Sequence, residues 1–189
     1  PSGMQVDEAS IAFDAWLIGE TGKDEKGRYL PLYPMSSWNP KHPAYFYPEV
    51  LVVKRLGLSP FAARLTSVFF GLAGVLGIFL LGRLLFSSVT VALVASAMLA
   101  FAPWSVHFSR LGFEAISFPA YFSFAVYFLL KGLEGRAWLV IPGAVCAGLC
   151  FYAYPVALVF VPLFLTGLLI INIDTVRRVP GRTVAAALV

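Results

Sequence analysis

Four polar segments with the side chains for acid–base or phosphate chemistry interrupt an otherwise apolar chain: Asp7-Glu8, Lys41-His42, Arg110 with Glu114, and Tyr152-Ala-Tyr154. A positioned carboxylate can accept a proton from a hydroxyl as a general base. An arginine or lysine can hold a phosphate through charge-assisted hydrogen bonds. All four segments are predicted on one side of a membrane. Such a one-sided collection suits an enzyme that acts on a lipid-borne substrate at the membrane surface, and a pore or an anchor has no need of it.

Each segment also has a structural interpretation. Asp7 could cap the helix that follows it, with Glu8 favoured at the positive end of that helix. Arg110 and Glu114 are four residues apart and could neutralise each other as an ion pair. Alternatively, Arg110 could bind phosphate, and Glu114 could orient it, bind a metal or contact a sugar hydroxyl. Both interpretations stay open at this point.

The remaining candidates are substrate contacts. Lys41 and His42 could contact phosphate oxygens, although a lone histidine is often a structural hydrogen-bonding group. Tyr152 and Tyr154 could contact substrate or could anchor the chain at the membrane interface. The sequence contains no glycine-rich phosphate loop, zinc-ligand spacing or nucleophile elbow. No metal ligands are assigned.

Composition places the chain among integral membrane proteins. Of its 189 residues, 59% are hydrophobic and 13% are charged, which is more apolar surface than a soluble domain can bury. The net charge of +4 is spread along the chain, so it does not indicate nucleic-acid binding. Cys146 and Cys150 lie in an apolar run and are interpreted as small buried residues.

The elements that must position these residues follow from charge and proline spacing. Residues 1–60 are predicted to form an extracytoplasmic loop with two interfacial helices, 7–19 and 43–55. Residues 61–189 are predicted to form an all-α, polytopic membrane helical bundle. Its predicted spans are about 61–86, 88–105, 115–131, 137–152 and 155–173, with a further span starting at 183. The break at Tyr152–Pro155 is predicted because the uncharged run 137–173 is too long for one span.

Basic residues predict the orientation. One set of loop ends holds six basic residues and the opposite short loops hold only Arg110; the six are Arg83, Lys131, Arg136, Arg177, Arg178 and Arg182. By the positive-inside rule the first set is cytoplasmic. Residues 1–60, 105–114 and 152–155 are therefore predicted to face outward.

The order of several motifs carries a resemblance to a known family. The motifs are Asp7-Glu-Ala-Ser-Ile-Ala-Phe-Asp-Ala15, Thr21-Gly-Lys-Asp-Glu25, Lys41-His-Pro43, Gly57-Leu-Ser-Pro-Phe-Ala-Ala-Arg-Leu65 and Ala102-Pro-Trp-Ser-Val-His-Phe-Ser-Arg-Leu-Gly-Phe-Glu114. In this order they resemble the first outer loop and following spans of bacterial GT-C glycosyltransferases of the protein-O-mannosyltransferase and aminoarabinose-transferase-like group. The resemblance implies an N-terminal fragment of a GT-C-type fold that lacks the first span and the C-terminal half.

The resemblance also implies roles for the candidate residues. By it Asp7 is the catalytic base and Glu8 its neighbour, Arg110 binds the donor phosphate, and Glu114 is a second acidic site residue. His42 lies in the place of the family's His-Pro motif. The implied reaction is inverting transfer of a sugar from a polyprenyl-phosphate donor to an acceptor hydroxyl on a lipid, glycan or protein. A bacterial-type inner membrane is the implied location, with the site outside the cytoplasm.

Two rival functions are weighed against this one. A transporter or lipid flippase would place charges inside the spans, along a pathway near mid-membrane. The predicted spans are almost free of charge, which disfavours it. A non-catalytic membrane scaffold is the other alternative. No cofactor is required by the chemistry because phosphate is already a good leaving group, and a divalent cation is left open.

Overall fold

Helices make up most of the structure, a computed structural model that describes residues 4–36 and 39–176. The α-helices are α1 Val6–Thr21, α2 Pro43–Leu56, α3 Pro60–Phe86, α4 Val89–Phe101, α5 Pro103–Arg110, α6 Ser117–Leu133, α7 Val140–Ala153, α8 Ala157–Ile171 and α9 Ile173–Val176. Short 3-10 turns at Glu114–Ile116 and Ala137–Leu139 lead into α6 and α7. The described residues include two isolated β-bridges and no strand. The prediction of an all-α, helical membrane fold is confirmed.

The two helices predicted in the first 60 residues pack on each other. The apolar stripe of α1, which includes Ile11, Ala15 and Ile18, lies in one buried cluster with Tyr45 and Phe46 of α2. Gly57 ends α2, and the Ser59 side chain caps α3 by accepting from the Ala62 N–H at 3.2 Å. The sequence predicts both features, with Gly57 as the end of one helix and Ser59-Pro60 as the start of the next. Residues 1–60 thus contain a helix pair that rests on the start of α3.

The loop between α1 and α2 folds around the carboxylate of Asp24. This carboxylate accepts from the Arg28 guanidinium at 2.7 and 2.9 Å and from the backbone N–H groups of Lys26, Arg28 and Met35. The sequence predicts an extended segment over 29–33, but Leu30 turns with φ of 38°. The turn forms because the Leu30 N–H bonds back to the Gly22 carbonyl at 2.9 Å.

Two helical segments, Pro60–Phe86 and Glu114–Leu133, are long and apolar enough to cross a membrane. A third candidate is the pair α4 and α5, which is bent by 58°. The bend lies at Ala102–Pro103 because proline lacks an N–H and keeps the preceding residue extended, with ψ of 128° at Ala102. The predicted outward loop 105–114 is thus mostly helix, since α5 continues to Arg110.

The last two predicted spans correspond to shorter apolar helices, Ala137–Ala153 and Ala157–Ile171. The break between them lies at 154–156, where it was predicted. A 15-residue helix is about 22 Å long, less than a hydrocarbon core of about 30 Å. The start of a further span at 183, together with Arg177, Arg178 and Arg182, lies outside the described residues.

Glycines let α3 and α6 approach closely. A Cβ atom on Gly77 would lie 2.1 Å from Ser123 Oγ, and one on Gly74 would lie 3.7 Å from the Ala120 nitrogen. Residue numbers increase in the same direction along both helices at these contacts, from Gly74 with Ala120 to Gly77 with Ser123, so α3 and α6 run in the same direction. Their N-terminal ends therefore lie at one end of the bundle and Arg83 and Lys131 at the other.

Candidate active site

The carboxylate of Glu8 ties the first turn of α1 to two other parts of the chain. Arg64 donates to it from Nε at 2.6 Å and from Nη2 at 3.2 Å. The backbone N–H groups of Gly112 and Gln5 donate at 3.4 and 3.2 Å. Burial alone would raise the pKa of Glu8, but Arg64 and the backbone donors bring that pKa below its ordinary value. Glu8 is thus an ionised clamp between α1, α3 and the segment that follows α5.

Gly112 permits this clamp to close. A Cβ atom there would lie 3.1 Å from Glu8 Cγ and 3.2 Å from the Ala63 carbonyl oxygen. A side chain at position 112 would therefore require Glu8 or the Ala63 backbone to shift by a few tenths of an ångström. The segment Arg110-Leu-Gly-Phe-Glu114 therefore approaches Glu8 and α3 closely because glycine has no side chain at position 112.

Asp7 differs from its neighbour because it is exposed. It forms no hydrogen bond or ion pair with any residue in 4–36 or 39–176. The N-cap of α1 is Gln5, so the interpretation of Asp7 as that cap is wrong. The Asp7 charge nevertheless acts on the Glu114 carboxylate. An unengaged carboxylate thus stands on a turn that Glu8 holds in place.

The structure brings together three of the other predicted residues. His42 donates its backbone N–H to Glu114 at 3.3 Å, and its Nε2 lies 3.6 Å from Glu114 Oε1. The ring of Tyr154 is centred 6.3 Å from the His42 ring. Burial lowers the pKa of His42, and its buried Nδ1 has no hydrogen-bond partner among the described residues. Tyr152 lies nearby in sequence but packs on Tyr33, with ring centroids 6.0 Å apart.

Lys41 points elsewhere, into the side of α1. Its ammonium donates to Ser10 Oγ at 2.8 Å and lies 3.6 Å from Asp14 Oδ2. Lys41 is 7% exposed, so reaching a phosphate would require breaking a buried contact. Burial raises the pKa of Asp14 to about 6, although the Lys41 charge opposes the rise. The substrate-binding role of Lys41 stays a prediction, with a structural role alongside it.

Arg110 lines a pocket of about 370 Å³ rather than pairing with Glu114. The described residues show no ion pair between these two side chains within 4.0 Å. The pocket is lined by Arg64, Pro103, Val106, His107, Arg110 and Leu111. The Arg64 guanidinium is already paired with Glu8, so it is the Arg110 guanidinium, without an ion-pair partner among the described residues, that favours an anion in this cavity. The ion-pair interpretation of Arg110 and Glu114 is therefore wrong.

A buried network lies beneath these residues. Tyr45 Oη and Ser67 Oγ are 2.8 Å apart, and Ser67 Oγ accepts the Phe113 N–H at 3.2 Å. Glu49 is fully buried beside Tyr45, and neither of its carboxylate oxygens has a hydrogen-bond partner among the described residues. Burial raises the pKa of Glu49 well above its ordinary value. Ser67 and Glu8 thus hold consecutive backbone N–H groups, at Phe113 and Gly112.

A pH-dependent stability follows from Glu49. The pKa of Glu49 is raised in the folded state. Its contribution to the free energy of unfolding is therefore fully present below about pH 4.5 and is lost as the pH rises through the folded pKa. Glu49→Gln removes this titration. We expect the difference in melting temperature, variant minus unaltered chain, to be larger at pH 8 than at pH 4.5 by at least about 2–4 °C.

Thermal unfolding in detergent across that pH range measures the effect. The difference between the two proteins cancels groups remote from Glu49, and it reports Glu49 together with its electrostatic coupling to Glu8, Lys41 and Glu114. Glu20→Gln, on the exposed end of α1, is the matched control and should leave the pH profile unchanged. Parallel profiles for Glu49→Gln and the unaltered chain would contradict the prediction.

Sequence reasoning missed Arg64, Asp14 and Glu49. Asp14 lies on the same helical stripe as Ile11 and Ile18, and Glu49 lies on the buried face of α2. An acidic residue on the apolar stripe of a helix indicates a buried polar group. Arg64 is the last charged residue before an 18-residue uncharged run, so it lies at the membrane surface. A charged residue so close to the hydrocarbon is a candidate site residue.

A model of the dolichyl-phosphate-mannose-protein mannosyltransferase family matches residues 41–189, which is more than half of the chain. The chain belongs to this family. Family membership indicates a GT-C-type membrane glycosyltransferase and implies a lipid-linked sugar donor with a glycan or protein acceptor. The matched residues include His42, Arg110 and Glu114 but not Asp7 or Glu8. No curated protein and no solved structure matches the chain.

Proposed function

We propose that this family member transfers a sugar from a polyprenyl-phosphate donor to an acceptor hydroxyl with inversion, and that Asp7 is the general base. The observation that carries the proposal is the pairing of an unengaged Asp7 with a clamped Glu8. Glu8 fixes the turn through Arg64 and Gly112, and Asp7 keeps its carboxylate accessible. A fixed backbone with a free carboxylate suits a base that must meet a bound hydroxyl.

The pocket beside this turn supplies a place for the donor phosphate. Arg64 belongs to both features, because its Nε and Nη2 bind Glu8 while its side chain lines the pocket with His107 and Arg110. Arg110 is exposed and has no ion-pair partner among the described residues, so its guanidinium can form a two-point contact with phosphate oxygens. This arrangement favours Arg110 over Lys41 as the main phosphate contact.

The proposed reaction is one displacement at the anomeric carbon. The acceptor oxygen forms a bond to that carbon as the bond to the phosphate oxygen breaks, and the lipid phosphate leaves with the electron pair. Asp7 takes the proton of the attacking hydroxyl, which contributes about 10² to 10⁴ in rate. Arg110 and Arg64 stabilise the charge that develops on the departing phosphate.

Glu114, His42 and Tyr154 form a second group of residues in the proposed site. Burial lowers the pKa of His42, which favours its neutral form. We assign Glu114 and His42 to sugar hydroxyl contacts and Tyr154 to stacking against the ring. Tyr152 is assigned to the rim of the site, where it packs on Tyr33. Among the described residues no group of three or more His, Cys, Asp or Glu side chains is arranged to hold a metal ion.

A transfer assay with purified protein tests the proposal. In detergent there are no two sides of a membrane, so a transporter or flippase forms no new covalent product, whereas a glycosyltransferase does. Extracted lipid-linked sugars serve as donors, and mass spectrometry follows the acceptor. Mass increase of the acceptor by one sugar supports transfer. Absence of any product with lipids from a deletion strain, which accumulate the unused donor, would sink the proposal.

The proposed outward orientation of the site gives a topology prediction. In a chain with Cys146 and Cys150 replaced by alanine, a cysteine at Lys26 should react with an impermeant maleimide added from outside. A cysteine at Arg136 should react only after permeabilisation. Both positions are exposed, so accessibility within the protein does not bias the result. Labelling of Arg136→Cys but not Lys26→Cys in intact cells would reverse the orientation.

A further inference from the structure

A second basic pocket lies at the end of the bundle away from the candidate active site. Its volume is about 440 Å³. It is lined by Phe79, Leu80, Arg83, Leu84, Tyr127 and Lys131. Because α3 and α6 run in the same direction, their last turns meet here, whereas Arg64 and Glu114 lie at their first turns.

The polar groups of this pocket are available to a ligand. Arg83 is exposed and forms no hydrogen bond or ion pair to any side chain in the described ranges. Lys131 pairs with Glu134 at 2.9 Å, but that pair is exposed and contributes little to stability. Basic residues at helix C-termini also offset the helix dipole. The dipole explains one cation at each helix end, and the cavity of about 440 Å³ with an apolar floor between the two cations is the additional observation.

We propose that this pocket binds the headgroup of an anionic phospholipid. Arg83 and Lys131 would hold the phosphate, with Arg83 able to make a two-point contact. Phe79, Leu80 and Leu84 would contact the first acyl carbons, and the Tyr127 hydroxyl would face the headgroup. The volume lies within the range of small-molecule sites. Basic pockets between membrane helices select anionic headgroups, and two cations repel the ammonium of a zwitterionic lipid.

The arrangement separates lipid binding from sugar transfer. The pocket shares no lining residue with the one that contains Arg110. The proposal therefore stands or falls independently of the proposed reaction. Its ligand is the bilayer's own anionic lipid rather than a donor that is consumed.

Native mass spectrometry of the whole chain can test the proposal. Delipidated protein in detergent is mixed with equal amounts of phosphatidylglycerol and phosphatidylcholine of the same acyl composition. The unaltered chain should retain phosphatidylglycerol in preference. Each basic residue near a headgroup contributes about a fivefold change, so the double variant Arg83→Gln/Lys131→Gln should lose about tenfold or more of that preference.

Arg136→Gln is the matched control, because it removes a positive charge near the same end from an exposed position outside the pocket. It should leave the preference within about twofold. An equal loss in Arg136→Gln and the double variant would show general attraction only and overturn the proposal. If the double variant fails to fold, Arg83→Gln alone, at an exposed position, should still lose about fivefold.

A soluble phosphate compound could also bind Arg83 and Lys131, so the experiment includes such a compound as a competitor. Glycerol phosphate at millimolar concentration should not displace phosphatidylglycerol from the unaltered chain, because it lacks the acyl contacts with Phe79, Leu80 and Leu84. Displacement of phosphatidylglycerol by an equal concentration of glycerol phosphate would assign the pocket to a soluble phosphate compound and refute the lipid assignment.

Discussion

Asp7→Asn should lower the rate of sugar transfer by about 10² or more while leaving donor binding nearly unchanged. The amide keeps the size and shape of the side chain and removes only the basic carboxylate. Asp7 forms no hydrogen bond or ion pair to a described residue, so its replacement breaks no contact of the fold. The loss should therefore appear in kcat and not in the melting temperature.

Initial rates with purified intact protein and saturating donor measure this effect. Glu20→Gln is the matched control, since it removes an exposed carboxylate from the other end of α1. Its rate should stay within about twofold of normal. Transfer at a near-normal rate by Asp7→Asn would show that another group, or none, acts as base and would leave Asp7 without a catalytic role.

Glu8→Gln should behave differently from Asp7→Asn. It removes the charged acceptor that Arg64 and Gly112 share, which should cost about 1–3 kcal/mol of stability. Activity would fall through misplacement of the turn and would recover in part at lower temperature. Loss of rate without loss of stability would give Glu8 a direct part in the reaction.

Arg110→Ala should weaken donor binding and slow transfer, together by about 10² in kcat/KM, with little change in stability. Arg110 is exposed and lines the pocket shared with Arg64 and His107, so the expected loss is that of a phosphate contact. Arg110→Lys should be impaired by about tenfold, because an ammonium lacks the planar fork that binds two oxygens.

Donor affinity and kcat/KM of the intact protein, with thermal unfolding in parallel, test the role of Arg110. Arg55→Gln is the matched control, since Arg55 is an exposed arginine at the end of α2 and does not line the pocket. The double variant Arg110→Ala/Glu114→Gln should remain folded and inactive. Normal transfer by that double variant would remove the phosphate role and leave Asp7 as the main evidence for a site.

The sequence was sufficient for features that depend on local patterns. Helix ends at Gly22, Gly57 and Ser59 follow from cap and turn chemistry, and the break before α8 follows from length and proline. The bend at Pro103 was missed because the uncharged run continues through it. Proline at the first position of a new helix looks the same in hydropathy as a continuing span.

The partners of the polar residues could not be predicted in the same way. The sequence pairs Arg110 with Glu114 by spacing, but α5 ends at Arg110 and Glu114 begins a separate 3-10 turn, so the helical spacing does not apply. Glu114 faces His42 instead, 72 residues away along the chain. Such pairings depend on how helices pack, and no local pattern encodes that.

The hydrogen bonds of Glu8 also bear on the order in which the molecule is assembled. They join α1 to residues 56 and 104 positions further along the chain. Contacts across such separations form after local helices, because long segments must first be brought together. A folding intermediate with every helix in place would still lack the contacts of Glu8 with Arg64 and Gly112 that position Asp7. Recovery of transfer activity during refolding should therefore lag behind recovery of helical circular dichroism, and enzymatic competence would report the final stage of maturation.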